Sequence, residues 1–571
     1  MAEKCFCYCI GGTGARIAEV AAHLCTMNML NDKNITFIVV DKDEECGGTK
    51  RAKKVIGYTE VISEIKGSDG NSGRLCRSRL SSKEDGNPTK APWNFTKAIE
   101  NIQGNANGNA SLKNALGGNN PNNETLFDAF YSKSEQDSPT SEGFYGHPSI
   151  GALMFKYMMK NTNDDIAEPV LGYLTKHTGD VVKVFIIGSV FGGTGASVFS
   201  NLAAHIRDKS SGMNNIDNRL LISGVLLLPY FSFGASTNEN PRINDMEFFA
   251  KSRTALEQYS MDPNFMRNLD AQGNNYQGNF DTLYICGQNP LHKVGKYSEG
   301  GSTQENHFDL VDLIAAYAMV DFFKKDFMQA GNNGGIDNTK IGKIYEYRLH
   351  SGNNLNQVLG EQLSGNLAEN LSKMLLFAAF VITKVYAPFK INEDIKEIRL
   401  VELTYGSGHF GELSFGKRDD IARKIADIRA VTTGANLNAG KDAGGIDVLY
   451  QYCVEYVKFV NDIAYNGKDW SKGANDYSEE YQLLNQGYID KLYAICGAIK
   501  NNTKGTALAD FIKSQQILDS AIVERGKTIN DVETEVQGQL KGMLKKYKDN
   551  GTGAIDRFGD YVKAAFEACF N

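Results

Sequence analysis

Apolar runs alternate with amphipathic stretches through the first half of the chain. Residues 5–10, 35–40, 181–187 and 220–228 are nearly continuous apolar runs, which are typical of strands buried on both faces of a sheet. Between these runs apolar residues recur at helical spacing, as at Ile17, Val20 and Leu24. The alternation predicts an α/β fold with a mostly parallel sheet covered by helices on both faces. Residues 54–58 and 281–286 predict two further strands.

The second half of the chain predicts more helix. Residues 306–325 and 363–386 predict two long helices, residues 341–349 and 398–404 predict strands, and from about residue 419 the pattern is helical with glycine-rich breaks. Residues 67–141 are rich in Asn, Gly and Ser, which predicts a long, loop-rich insertion; a self-associating Asn-rich tract is the alternative. We therefore expect four parts: an α/β domain at 1–300 with its insertion at 67–141, a central helix at 301–328, a smaller mixed α/β domain at 329–418 and a helical C-terminal region at 419–571.

Composition and charge narrow the class of protein. A chain of 571 residues with 42% apolar and 23% charged residues is an ordinary globular composition, divided into roughly two to four domains. The net charge of -7 gives no chain-wide reason to bind nucleic acid. No apolar run approaches the ~20 residues that span a bilayer, so we expect no membrane span and a cytoplasmic location. The ten cysteines include no C-x-x-C pair and are interpreted as reduced, buried thiols.

Two glycine-rich turns each join a predicted strand to a predicted helix. Both contain the sequence Gly-Gly-Thr-Gly-Ala, first at residues 11–15 and again at residues 192–196. Glycine lets a phosphate approach the backbone, and the helix that follows offers unpaired N–H groups. Because parallel strands end at a common edge, both turns are expected there, gripping a polyphosphate without the lysine of a Walker motif. For either turn alone, the alternative is a simple tight connection. The predicted phosphate-binding residues are Gly11, Gly12, Thr13, Gly14, Ala15, Phe191, Gly192, Gly193, Thr194, Gly195, Ala196 and Ser197.

These motifs resemble those of the tubulin/FtsZ superfamily over about residues 1–330. The second turn, led by Phe191, resembles the G-G-G-T-G-[ST] signature, and the first turn resembles the family's first phosphate loop. Asp41 ends a run that resembles the family's second strand, and Gly146 and His147 lie in a segment that resembles the loop facing the terminal phosphate. The closest likeness is to divergent bacterial tubulin-like proteins. The resemblance implies a GTP-binding first domain that takes GTP or GDP with Mg²⁺.

The resemblance also implies roles for residues near the central helix. It places Asn306 at the purine ring, although Asn306 could equally be a helix N-cap. Family members carry, after the central helix, acidic residues that complete the nucleotide site of the next subunit. The corresponding residues here are Asp326 and Asp337, without the family's N-x-D-x-x-[DE] motif, and ordinary surface acids are the alternative. Head-to-tail filaments with GTP hydrolysis across the subunit interface are the implied function.

Two other functions stay open at this point. One is a nucleotide-binding scaffold or sensor that does not cycle and recruits a protein partner through its C-terminal helices. The other is a dinucleotide-dependent oxidoreductase, because Gly12, Gly14 and Asp41 imitate a Rossmann fingerprint. His147 is expected either to neutralise phosphate charge or to cap the backbone. Further candidates for ribose or base contacts are Glu239, Arg242 and Glu247, while Lys251 aligns with an asparagine that tubulins place on the helix after the ribose loop.

Overall fold

The computed structural model describes the chain in segments. They are residues 2–43, 46–63, 75–81, 111–116, 120–137, 144, 147–161, 165–233, 245–269, 276–289, 291–294, 307–328, 335–337, 339–350, 355–387, 391, 445–464, 485–522, 526–536, 538–539 and 554–570. Several predictions lie outside these residues: most of the insertion, the strand at 398–404, and the site residues Gly146, Glu239, Arg242 and Asn306.

The described strands build one large parallel sheet. In chain order the strands are β1 (Glu3–Ile10), β2 (Asn34–Val40), β3 (Arg79–Ser81), β4 (Val181–Ser189), β5 (Leu220–Leu227), β6 (Phe231–Phe233), β7 (Asn268–Leu269), β8 (Tyr276–Gln277), β9 (Thr282–Asn289), β10 (His292–Val294) and β11 (Lys343–His350). Seven of them form a sheet of order β11-β9-β5-β4-β1-β2-β3, and all its pairings are parallel. β6 pairs with β10 and β7 pairs with β8 in two small sheets.

The order of the strands fixes where a ligand can bind. β1 is followed in sequence by β2 on one side, while β4 lies on its other side and is followed by β5. The chain therefore reverses its winding between β1 and β4, and such a switch point opens a crevice at the carboxyl ends of the strands. Because crossovers are right-handed, the helices that follow β1 and β4 lie on opposite faces of the sheet.

Helices cover both faces, as the apolar runs predict. In chain order they are α1 (Gly11–Thr26), α2 (Gly47–Ser63), α3 (Leu112–Ala115), α4 (Pro121–Phe130), α5 (Lys133–Gln136), α6 (Pro148–Asn161), α7 (Glu168–Lys176), α8 (Gly193–Ser210), α9 (Phe248–Met261), α10 (Leu310–Lys324), α11 (Leu355–Leu359), α12 (Glu361–Phe380), α13 (Gly445–Ala464), α14 (Gln486–Lys500), α15 (Gly505–Ser514) and α16 (Ala554–Phe570). α1 packs against α2 and α10 on one face, and α6 and α7 pack against α8 on the other.

The central helix α10 runs from one end of the sheet to the other. Near its beginning, Asp312 contacts Arg16 in the first turns of α1, at the carboxyl ends of the strands. At its other end, Lys183 near the start of β4 donates hydrogen bonds to the carbonyl oxygens of Phe323 (3.2 Å) and Lys325 (2.7 Å). Its 15 residues correspond to about 22 Å. The helix is buried almost all round, which its largely apolar sequence requires.

The prediction of a strand at residues 54–58 is wrong, because this segment is part of α2. Val55, Ile56, Thr59 and Ile62 are buried at helical spacing, so one face of a helix covers the sheet there. The third strand of the sheet is β3, a three-residue strand too short to show an apolar run. The strand predicted at 341–349 is present as β11, and it extends the main sheet by pairing with β9.

The C-terminal helices dock on the α1–α2 side of the first domain. α13 packs against α2, α12 and α14, and α16 packs against α12, which continues as a π-helix at Val381–Tyr386. Tyr452 on α13 lies 3.2 Å from the His23 ring nitrogen Nδ1, and the Tyr456 hydroxyl donates to the carbonyl oxygen of Leu371 at 2.8 Å. One apolar core thus runs from the sheet into these helices. None of the helices in the described segments combines the length and apolar character needed to cross a membrane.

Candidate functional site

The two glycine-rich turns touch each other at the carboxyl edge of the sheet. Gly11 has a φ of +72°, and a Cβ atom placed there would lie 3.4 Å from the backbone nitrogen of Gly195 and 3.5 Å from Cβ of Thr194. β1 and β4, which lead into the turns, are direct neighbours in the sheet. The two turns therefore line one common cleft.

Two of the glycines press their helices onto the strands that precede them. A Cβ atom on Gly14 would lie 2.7 Å from the carbonyl carbon of Cys9, and one on Gly195 would lie 2.9 Å from the backbone nitrogen of Ser189. Real Cβ atoms do not approach backbone that closely, so these positions exclude any larger residue. Gly14 and Gly195 thus let each helix lie close against the strand that precedes it, and this close packing sets the position of the turns.

Both helices present uncapped N-termini to the cleft. α1 begins at Gly11 and α8 at Gly193, and neither has a side-chain hydrogen bond at its N-cap residue. The first N–H groups of a helix have no partner within it and carry a partial positive charge. The partly exposed residues of the two turns are Gly12, Thr13, Gly192, Gly193 and Ala196. Their backbone forms the accessible wall of a cleft suited to an anion.

Two predicted binding residues support the second turn from behind. The Ser197 side chain is buried, and its hydroxyl lies 2.9 Å from the carbonyl oxygen of Pro148 at the start of α6. Phe191 is also buried, with its ring 4.8 Å from that of Phe248 and next to Tyr230. Their side chains therefore hold the turn against α6 and α9, while Thr194 and Ala15 are buried between the helices and the sheet.

Asp41 lies beside the first turn in an environment that favours its neutral form. Its Oδ2 atom is 3.9 Å from where a Cβ atom of Gly12 would be, and it accepts a hydrogen bond of 3.0 Å from the hydroxyl of Thr49. Burial raises the pKa of the Asp41 carboxyl to about 7, although the Thr49 and Asp43 hydrogen bonds oppose the shift. The carboxyl therefore changes its charge near neutral pH, next to the cleft.

Lys42 adds a positive charge that the sequence analysis missed. The Lys42 side chain is buried, and its ammonium group lies 4.5 Å from the centre of the Phe144 ring. That ring reaches to within 3.0 Å of the Cβ position of Gly151, where the Ser197 hydroxyl also lies. Lys42 therefore extends from the end of β2 towards the start of α6 and α8. The available signal was its place directly after Asp41, at the carboxyl end of a parallel strand.

His147 lies at the start of α6 and pairs with an acid of the preceding segment. Its Nδ1 atom is 3.0 Å from Oε1 of Glu135, and its side chain is 43% exposed. Its carbonyl oxygen accepts the N–H of Gly151, so it also takes part in the first turn of α6. Both predicted roles, charge and backbone support, are compatible with this position.

A buried polar network joins Arg16, directly after the first glycine-rich turn, to the central helix α10. The sequence analysis also missed this network. Arg16 Nε donates to Asp312 Oδ2 at 2.7 Å, and the Arg16 guanidinium also bonds the Tyr230 hydroxyl. Tyr230 in turn donates to Asp312 Oδ1 at 2.9 Å. Asp309 is the N-cap residue of α10 and accepts a hydrogen bond from His292 at 2.7 Å. These hydrogen bonds therefore tie the first turn of α1 to the start of α10.

The two predicted acids, Asp326 and Asp337, lie together at the opposite end of the sheet. The Asp337 N–H donates to the carbonyl oxygen of Phe327 at 2.7 Å. Lys340 donates to the carbonyl oxygen of Asp326 at 2.7 Å and lies 3.5 Å from the Asp337 carboxylate. Hydrogen bonds from Thr339, aided by Lys340, lower the pKa of Asp337. The length of α10 separates these acids from the glycine turns of the same subunit.

Of the residues considered for ribose or base contacts, Glu247 and Lys251 lie in the described part of the chain. Glu247 precedes α9 and pairs with Lys251 at 2.9 Å, so both side chains are engaged on the helix surface.

Comparison with known proteins identifies one related family. A protein family described as "Tubulin like" matches residues 144–389. This stretch contains His147, the second glycine turn and the whole of α10, while the first turn and Asp41 precede it. No curated protein sequence matches the chain.

Proposed function

Since the chain is a tubulin-like member of the tubulin/FtsZ superfamily, we propose that it binds a guanine nucleotide between its two glycine turns and assembles head to tail. The observation that carries this proposal is the closeness of Gly11 to Thr194 and Gly195, which leaves only van der Waals space for a Cβ atom between the two turns. It brings two uncapped helix N-termini to one cleft, and a polyphosphate needs that arrangement when no Walker lysine is present.

The residues around the cleft fit a magnesium–triphosphate complex. The backbone N–H groups of the partly exposed residues Gly12, Thr13, Gly192 and Gly193 would hold phosphate oxygens. Mg²⁺ prefers oxygen ligands and is usually held by substrate phosphates with one or two carboxylates. Asp41 and the Thr13 hydroxyl are the side chains that would orient its waters. When bound, the metal neutralises part of the phosphate charge.

The placement of the two ends of α10 supports the proposed head-to-tail assembly. The glycine turns lie at the carboxyl end of the sheet, and Asp326 and Asp337 lie at the amino end. A subunit cannot bring its own acids to its own cleft. Stacking one subunit on the next in the same orientation would bring them together, and such a contact repeats without closing. We propose that the acids then help to position water at the next subunit's nucleotide.

A non-cycling scaffold is the second candidate function. Asp337 is held by Thr339 and Lys340, and a carboxylate with a lowered pKa is a weak general base. The docked C-terminal helices offer additional surface to a protein partner. Turnover of GTP by assembled protein separates the two functions, because the scaffold binds GTP without releasing phosphate.

The cytoplasm is the compartment that suits this proposal. All ten cysteines are buried free thiols, which a reducing environment preserves.

Sedimentation with and without GTP and Mg²⁺ tests the assembly. We expect the protein to pellet with GTP and to stay in the supernatant without it. A pellet indifferent to nucleotide, together with a monomer at high concentration, would rule out a nucleotide-driven polymer.

The first prediction concerns Asp41 and pH. Its carboxyl is neutral below about pH 7 and charged above it. With Mg²⁺ present, GTP affinity should therefore rise between pH 6 and 8, by up to about tenfold, because the ionised carboxylate joins the metal shell. Without Mg²⁺ the same ionisation repels phosphate, and affinity should fall.

Asp41→Asn should remove the part of each trend that comes from Asp41, measured by calorimetric titration at several pH values. The phosphates of GTP also titrate in this range, but they do so equally in wild type and variant. Identical pH profiles for the two proteins would contradict a role for Asp41.

The second prediction concerns Lys42. Its ammonium extends towards α6, where the terminal phosphate is expected, so Lys42→Gln should weaken GTP binding about tenfold and GDP binding less. Lys42→Arg should retain most of the affinity. Lys176→Gln, at an exposed position at the end of α7, is the matched control and should change neither. Equal losses for GTP and GDP would place Lys42 away from the terminal phosphate.

A further inference from the structure

A second cavity lies at the carboxyl edge of the sheet, away from the glycine turns. It measures about 790 Å³ and opens between α9 and the ends of β5, β9 and β11. This volume is within the range of small-molecule sites, and the edge is the one where open α/β sheets bind ligands. Neither glycine turn contributes a lining residue.

One wall of the cavity is apolar. Leu228 after β5 and Leu256 on α9 line it, together with Phe249, whose side chain is 57% exposed. Large aromatic side chains contribute strongly to binding when a ligand covers them. This wall therefore suits the apolar body of a small molecule.

The opposite rim carries basic side chains. β9 and β11 pair so that Arg348 lies beside Gly287 and His350 beside Asn289. Tyr284 stacks on Tyr345 and contacts Asp321 of α10, so strand alternation turns Arg348 and His350 to the face that carries α9.

A second arginine completes this rim. Arg253 on α9 is also part of the lining and pairs with Glu257 at 2.8 Å. Both arginines take part in exposed ion pairs, Arg253 with Glu257 and Arg348 with Glu346. Exposed ion pairs contribute little to the stability of a folded protein. A ligand anion could therefore replace either glutamate at small cost.

An aromatic wall separates this cavity from the proposed nucleotide cleft. Phe248, next to the lining residue Phe249, is buried and packs on Phe191 and Phe231. The cavity is thus close to the second glycine turn but on the far side of these rings.

We propose that this cavity is a separate binding site for a small amphiphilic anion, with an apolar body on Leu228, Phe249 and Leu256 and an acidic group at Arg348, His350 and Arg253. The site does not depend on nucleotide being bound, so it can be tested independently of the function proposed above.

The fluorescent probe 8-anilinonaphthalene-1-sulfonate has this chemistry and tests the proposal. We expect one saturable site per chain in the wild type. Leu256→Trp should fill the cavity and weaken the probe at least ~10-fold, and Arg348→Gln should weaken it about threefold to tenfold. Arg348→Lys should restore most of the binding. Leu256 is only partly buried and Arg348 is exposed, so both variants should fold, which thermal melting checks.

Arg77→Gln is the matched control for Arg348→Gln, because it removes another exposed arginine, which precedes β3 at the opposite edge of the sheet. It should leave probe binding unchanged, and saturating GTP should not displace the probe. Absence of saturable binding, indifference to Leu256→Trp, or one-for-one displacement by GTP would each overturn the proposal. The last outcome would make the cavity part of the nucleotide cleft.

Discussion

Replacing Gly12 with aspartate is expected to lower the affinity for GTP on the order of 100-fold or more while the protein stays folded. A side chain fits at this position, because its Cβ atom would meet Cys46 at 3.7 Å and Asp41 at 3.9 Å, both ordinary contacts. The new carboxylate would stand where phosphate is proposed to bind. At about 5 Å from a phosphate and an effective dielectric constant of about 20, the repulsion is roughly 3 kcal/mol.

Three further measurements separate repulsion of the phosphate from other causes of weaker binding. Gly12→Ala should have a small effect, since it adds no charge. Gly57→Asp places the same charge on α2 where no atom lies within 4 Å of the new Cβ, and it should bind GTP normally. An aspartate in the first turn of α1 favours the helix, so the melting temperature of Gly12→Asp should stay close to that of the wild type. Normal GTP affinity in folded Gly12→Asp would place the phosphates elsewhere.

Replacing both Asp326 and Asp337 with asparagine is expected to lower GTP turnover by roughly 10²–10⁴-fold without loss of GTP binding or sedimentation. Both residues lie at the far end of α10, so the nucleotide cleft of the same subunit is untouched. Asp208→Asn is the matched control, because Asp208 is an exposed acid near the end of α8, at the same end of the sheet. Phosphate release from assembled protein measures the effect.

A mixture of two inactive variants tests whether the site is shared between subunits. Gly12→Asp keeps the acids and lacks nucleotide, whereas the double asparagine variant keeps nucleotide and lacks the acids. Mixed in equal amounts, they should recover some turnover. The upper limit is about a quarter of the wild-type value and is reached when Gly12→Asp subunits enter the filament as readily as nucleotide-bound ones, since about one contact in four then joins an intact cleft to intact acids. Co-sedimentation without recovered turnover would contradict catalysis across the interface and favour the scaffold.

The sequence predicts the fold well where the pattern is long. β1, β2, β4 and β5 are buried on both faces of the sheet. Such strands have nearly continuous apolar runs, and these runs predicted parallel strands correctly. The prediction failed at residues 54–58, where a short apolar segment suits a strand or a buried helix equally and packing decides. β3 was missed because three residues carry no periodicity.

The sequence predicts the site in part. Contact between the two turns could be anticipated, because their strands share an edge and the motif occurs twice. The supporting roles of Phe191 and Ser197 could not, because they depend on Phe248 and Pro148 from other elements. The same limit applies to Lys42 over Phe144 and to Arg16 with Asp312, pairs that lie far apart in sequence. No local pattern reports such long-range partners.

Calorimetric titration of the purified wild-type protein with GTP and Mg²⁺, beside ATP and NAD⁺, tests the cleft between the turns most directly. We expect one GTP bound per chain, with weaker binding of ATP and none of NAD⁺. If GTP releases no heat at millimolar concentration, or if NAD⁺ binds in its place, the two turns do not form a guanine nucleotide site.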